Sequence, residues 1–148
     1  MATTEIDINA PATAVYDSLI DAWTYEVWVK GAKNIRAVDA SWPAPGSRFH
    51  HSVGIGPLMT RDETRLVSAE PNRLVELNMQ LWPVGEGIVR LELAETASGT
   101  HLTMHEEFIK GPAAWADNSL QQVALKLRND WSLDKLKDIV EQRHRMKR

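Results

Sequence analysis

The chain ends in one long helical pattern, and that ending limits what can precede it. Between about Asp117 and Arg148, apolar residues recur at Leu120, Val123, Leu127 and Trp131, then at Leu133, Leu136, Ile139 and Val140. Spacings of three and four mark one face of an α-helix. At 1.5 Å per residue, such a helix is roughly 40 Å long. No partner helix of similar length stands beside it in the sequence, and the segments before it read mostly as strands. Its apolar stripe must therefore be buried on a sheet. A single helix laid across a curved sheet does not fill the concavity with side chains, so the pattern predicts a pocket between the two.

The remaining segments are consistent with that layout. Thr4–Asn9 alternates, with Ile6 and Ile8 on one face. Pro11 then opens a helical stripe of Val15, Leu19, Ile20 and Trp23, and Ala22–Lys30 predicts a second short helix that Gly31 ends. Strands are predicted at Asn34–Ala40, Arg48–Val53, Met59–Ser68, Leu74–Leu81, around Val89–Leu93, and through Leu102, Met104 and Phe108. Turns fall at Trp42–Gly46, Gly54–Pro57, Glu70–Asn72 and Ala97–Gly99, and Gly111-Pro112 ends the last strand. Short connections favour an antiparallel meander.

A length of 148 residues suits one domain over 1–148, large enough to be stable without staples. The formal net charge of −3 argues against a nucleic-acid partner. The absence of cysteine excludes disulfides and thiolate chemistry. No signal segment and no apolar run near the about 18 residues of a membrane span are visible, so the expectation is a soluble cytoplasmic protein. The basic end, Arg143 to Arg148, reads as cations set against the helix dipole. A homodimer is left open.

The same order resembles the SRPBCC, or START-like helix-grip, superfamily, and within it the bacterial polyketide cyclase/dehydrase proteins. The resemblance rests on Ala10–Asp17, the Tyr25–Trp28 region, Pro45–Phe49, Ser98–Thr103 and Arg128-Asn129, and it covers essentially the whole chain. It implies an α+β fold. About seven antiparallel strands curve around a long C-terminal helix, with two short helices after the first strand. It also implies an internal cavity for a lipid, polyketide or aromatic metabolite, and no universal catalytic residue.

Strand parity then selects candidate residues. If Leu102, Met104 and Phe108 face inward, so does Glu106. A carboxylate among apolar side chains must find a partner, stay neutral or meet water. On the Arg48–Val53 strand, His51 shares the inward face with Phe49 and Val53. Glu106 and His51 are therefore the leading acid/base pair, with Glu106 as acid or base and His51 orienting it, against the alternative of a structural hydrogen bond. Trp28, Phe49, Asp62, Thr64, Met79, Met104 and Trp131 are the expected ligand-contacting residues. Arg61, Glu63 and Arg65 are expected outside, paired with Glu76 or Glu92. His101 and His105 are rejected as metal ligands. Four residues of strand separate them by about 13 Å, whereas zinc needs both within roughly 2 Å. No nucleotide or phosphate-binding motif is present, and no metal or other cofactor is expected.

Three functions fit: a carrier of a hydrophobic small molecule, a cofactor-independent cyclase or dehydratase, and a protein-interaction module. No exposed apolar run supports the third.

Overall fold

Alternating apolar and polar residues form strands where one face can be covered. The computed structural model describes residues 2–29, 32–53, 60–81, 85–115 and 118–147. Within them run β1 (Ala2–Ile8), α1 (Ala12–Leu19), a 3₁₀ turn at Ala22–Thr24 and α2 (Tyr25–Trp28). There follow β2 (Ala32–Val38), β3 (Arg48–Val53), β4 (Thr60–Glu70), β5 (Leu74–Leu81), β6 (Gly85–Glu95) and β7 (Thr100–Lys110). A 3₁₀ turn at Pro112–Trp115 leads into α3 (Asn118–Met146).

The strands make one antiparallel sheet in the order β1-β7-β6-β5-β4-β3-β2. The sheet curves around α3, which is the α+β helix-grip architecture expected from the sequence. Inward residues lie in rows across it. One row runs Glu106, Val89, Leu77 and Leu66, and the next runs Phe108, Gly87, Met79, Thr64 and Phe49. Two turn residues explain the tight connections. Asn72 takes φ 65° between β4 and β5. A Cβ on Gly99 would collide with the Ile8 carbonyl oxygen, so the turn before β7 admits only glycine.

Three expectations change. The second helix, predicted over Ala22–Lys30, is a 3₁₀ turn followed by a single helical turn, Tyr25–Trp28. Asp21 caps it by accepting from the Trp23 N–H at 3.2 Å, and Tyr25 and Trp28 are its buried residues. The charges on β4 also pair differently. Glu63 meets Arg48 on β3 at 3.2 Å, not a residue of β5 or β6.

The third change concerns α3. Its second half buries Leu133, Leu136 and Val140 as expected. In the first half, Val123, Leu127 and Trp131 face solvent at 60%, 68% and 41% exposure. The buried positions there, among the described residues, include Leu125, Asn129 and Ser132. Two overlapping stripes exist in this half of the helix, and the more polar one faces the sheet. No helix among the described residues is long and apolar enough to cross a membrane. The turn expected at 54–57 and the helix stop at Gly31 lie outside the described residues.

Candidate functional site

The inward face of β7 carries Thr100, Leu102, Met104 and Glu106, all buried. Parity placed Glu106 there, and it is 2% exposed. Its partner comes from α3: Arg128 Nη2 lies 3.2 Å from Glu106 Oε1. Beside Arg128, the side chain of Asn129 is fully buried. Thr4, inward on β1 next to β7, is buried as well.

These groups are not satisfied among themselves. Glu106 Oε2, Arg128 Nε, both polar atoms of Asn129 and Thr4 Oγ1 are buried without a hydrogen-bond partner among the described residues. Each such atom costs about 1–3 kcal/mol, and native interiors hold few of them. Five such atoms, on α3 and on the neighbouring strands β7 and β1, call for an explanation.

A second polar group lies toward the other edge of the sheet. His51 on β3 is fully buried, and its Nε2 is 2.9 Å from Thr64 Oγ1 on β4. Its Nδ1 has no well-aligned partner. Burial pushes the imidazole pKa down to about 4, and the nearby Arg36 adds to the effect against the pull of the Glu63 carbonyl. At neutral pH this ring is uncharged. Because the unfolded ring takes a proton near pH 6.5, the stability present above that pH is lost as pH falls toward 4. The loss amounts to about 3 kcal/mol. Urea unfolding at pH 7.5 and pH 4.5 checks this. The His51→Gln variant should lose much less stability between the two, and an unchanged difference would contradict the assignment.

The expected Glu106–His51 pair is not formed. β7 and β3 are four strands apart, about 19 Å along the sheet at ~4.8 Å per strand. Glu106 pairs with Arg128, and His51 with Thr64.

Of the ligand-contacting candidates, Phe49, Thr64, Met79 and Met104 are buried on the inward face, and Asp62 is half-buried opposite His51. Trp28 is buried, but in an aromatic cluster. Its ring lies 4.9 Å from Tyr25, and its Nε1 donates to Thr24 Oγ1 at 3.2 Å. Trp131 is corrected: it lies on the outer side of α3, with Lys135 Nζ 5.6 Å from its ring. His101 and His105 point outward, His101 to Asp7 and Glu5, His105 to Thr3. No group of three or more His, Cys, Asp or Glu side chains among the described residues is placed to hold a metal.

The predicted hollow is closed among the described residues. Phe49, His51, Thr64 and Asn129 each show zero exposure. The depressions described, of about 170 to 510 Å³, open to solvent, and none of these four nor Glu106 lines them.

The family model described as polyketide cyclase / dehydrase and lipid transport matches residues 2–141. The chain belongs to that family. No curated protein matches it at a significant level. Among solved structures, protein MLL2253 of Mesorhizobium loti is similar at 20% identity and TM-score 0.70, with 95% of this chain and 96% of that one covered. Ara h 8.0201 is similar at 10% identity and TM-score 0.70, covering 93% and 95%. The di-domain ARO/CYC protein BexL, from the BE-7585A biosynthetic pathway, is similar at 17% identity and TM-score 0.65. The match covers 96% of this chain and 48% of BexL. At these identities the likeness concerns the fold.

In this member of the family, Arg128 and Asn129 are interior polar residues on the helix that strand parity could not find, whereas Thr4 shares the inward parity of Ile6 and Ile8. Arg128-Asn129 did carry part of the family resemblance. The signal was an interruption: Arg128, Asn129 and Ser132 break the apolar run between Leu125 and Leu133.

Proposed function

We propose that the chain binds a small molecule with an apolar body between the sheet and α3, with its polar group at Glu106, Arg128 and Asn129. The observation that carries this reading is the set of buried, unpaired polar atoms under the first half of α3. Around them the surface is apolar: Met104, Val89 and Leu77 on the sheet and Leu133 one helical turn beyond Asn129. Gly87 brings no side chain of its own to the inward row between Met79 and Phe108, and the Phe108 ring lies over it.

Entry requires the first half of α3 to part from the sheet. That half is thinly held. Leu125 is its buried apolar side chain among those described, while Val123 and Leu127 face water. The second half is fastened by Leu133, Leu136 and Val140 and by polar ties. Lys137 donates to the Asp7 carbonyl at 2.9 Å, Glu141 accepts from the Asn9 N–H at 2.9 Å, and Arg143 pairs with Asp21 at 3.1 Å. Segments with few buried apolar contacts open at low free energy. Backbone amide exchange should therefore be at least about ten-fold faster over 122–128 than over 133–140. Equal protection in the two halves would remove the entry route.

Native mass spectrometry of the purified protein, followed by solvent extraction, tests binding itself. A 1:1 adduct with an apolar-bodied molecule supports the reading. An unliganded mass, together with no heat on titration with naphthalene-sized probes, contradicts it.

One observation favours a cyclase or dehydratase. Such chemistry needs a proton acceptor and a cation facing a developing oxyanion, and Glu106 and Arg128 supply both residue types at one place. Turnover of the bound ligand separates the readings: an enzyme converts it and loses that conversion in Glu106→Gln even at saturating ligand, whereas a carrier returns it unchanged.

A further inference from the structure

The unpaired atoms under α3 also carry information about what the ligand's polar group is; this rests on the binding proposed above. We infer that this group is neutral and carries a hydrogen-bond donor beside an acceptor, as a primary amide or a hydroxyl next to a carbonyl does. A carboxylate does not match the site.

The donors and acceptors can be counted from the structure. Arg128 Nη2 is engaged by Glu106 Oε1 at 3.2 Å, so the cation and the anion of the site offset each other. Among the buried atoms, those left without a partner are Arg128 Nε and Asn129 Nδ2 as donors, Glu106 Oε2 and Asn129 Oδ1 as acceptors, and Thr4 Oγ1 able to act as either. The remainder is balanced. A carboxylate brings only acceptors and a negative charge. It would satisfy the two donors, leave Glu106 Oε2 and Asn129 Oδ1 unmet, and place like charges together in a dry interior. A purely apolar group would leave all five atoms unmet. An amide or hydroxy-carbonyl group answers Glu106 Oε2 with its donor and Arg128 Nε with its acceptor.

Access is consistent with this. The Arg128 side chain is 20% exposed, while Glu106 is 2% exposed and Asn129 fully buried. Arg128 reaches from solvent to the buried cluster. Once the first half of α3 parts from the sheet, a ligand's polar head can therefore meet Glu106, Arg128 and Asn129 together.

Three probes of one shape separate the possibilities: 2-naphthamide, 2-naphthoate and 2-methylnaphthalene, titrated at pH 7.5 and followed by NMR. The amide should bind at least about ten-fold more tightly than either of the others, one hydrogen-bonded pair's worth of discrimination. Glu106→Gln removes the charge that offsets Arg128, so the preference should move toward 2-naphthoate by at least about ten-fold. Asn129→Leu, close in volume and free of unpaired atoms, should erase about ten-fold of the amide's advantage over 2-methylnaphthalene while keeping the fold. It serves if Glu106→Gln does not fold. Naphthoate binding as tightly as the amide in the unmodified protein overturns the inference. So does 2-methylnaphthalene matching the amide, although interior binding then stands. Failure of all three probes to bind overturns the binding proposal along with it.

Discussion

Replacing Arg128 by Met is expected to destabilise the protein by about 3–5 kcal/mol, because it strands Glu106. That carboxylate is 2% exposed and has no route to water short of moving α3. The reverse change should cost less. In Glu106→Leu, the Arg128 side chain can swing outward from its 20% exposed position, and about 1–2 kcal/mol is the expected loss. Changing both to the apolar residues should return stability to within about 1 kcal/mol of the unmodified protein, since a buried ion pair seldom exceeds well-packed hydrophobic side chains in net contribution. Urea unfolding of the four proteins gives the whole cycle. Single changes that both cost under about 1 kcal/mol would mean that the pair is solvated and the interior reading of Glu106 is wrong.

The second large effect is expected at Phe49. Its ring lies 4.9 Å from Tyr25, 5.2 Å from Trp42 and 5.8 Å from His51, at the point where β3 meets the short helices. Phe49→Ala should cost about 3–5 kcal/mol, the usual range for emptying a buried aromatic site. It should also admit water beside His51. Burial is the first cause of the depressed His51 pKa, so that pKa should rise from about 4 toward the ordinary value near 6.5. The acid sensitivity of stability would then shrink as well. NMR titration of the His51 ring in a folded Phe49→Leu variant reads this separately from the stability loss. A ring still titrating near 4 in that variant would show that packing by Phe49 is not what keeps His51 dry.

The strands were legible in the sequence because each has one wet face. Parity alone put Phe49 and His51, Met79, and Met104 with Glu106 on the inner side of the sheet. What parity cannot give is strand order. Glu106 and His51 both point inward, yet three strands lie between β7 and β3, so the pair inferred from residue types separates into two sites. The first half of α3 was misread for a different reason. Val123, Leu127 and Trp131 make a stripe at spacing four, and so do Leu125, Asn129 and Leu133. Helical period does not choose between overlapping stripes. The choice is made by the Glu106–Arg128 pair and buried Asn129, and a polar residue turned inward is legible only once its partner strand is in place. Trp28 illustrates a third limit. Its burial was foreseeable, but its contact with Tyr25 follows from the path of the chain at the 3₁₀ turn.

On this reading a ligand enters between α3 and the sheet. Methionine-methyl NMR tests it most directly, because Met79 and Met104 are buried on the inward face while Met146 is 77% exposed at the end of α3. Titration with 2-naphthamide should shift the methyl signals of Met104 and Met79 and leave that of Met146 unchanged. Signals of the two interior methyls that stay fixed at saturating probe, or a shift confined to Met146, would contradict the claim.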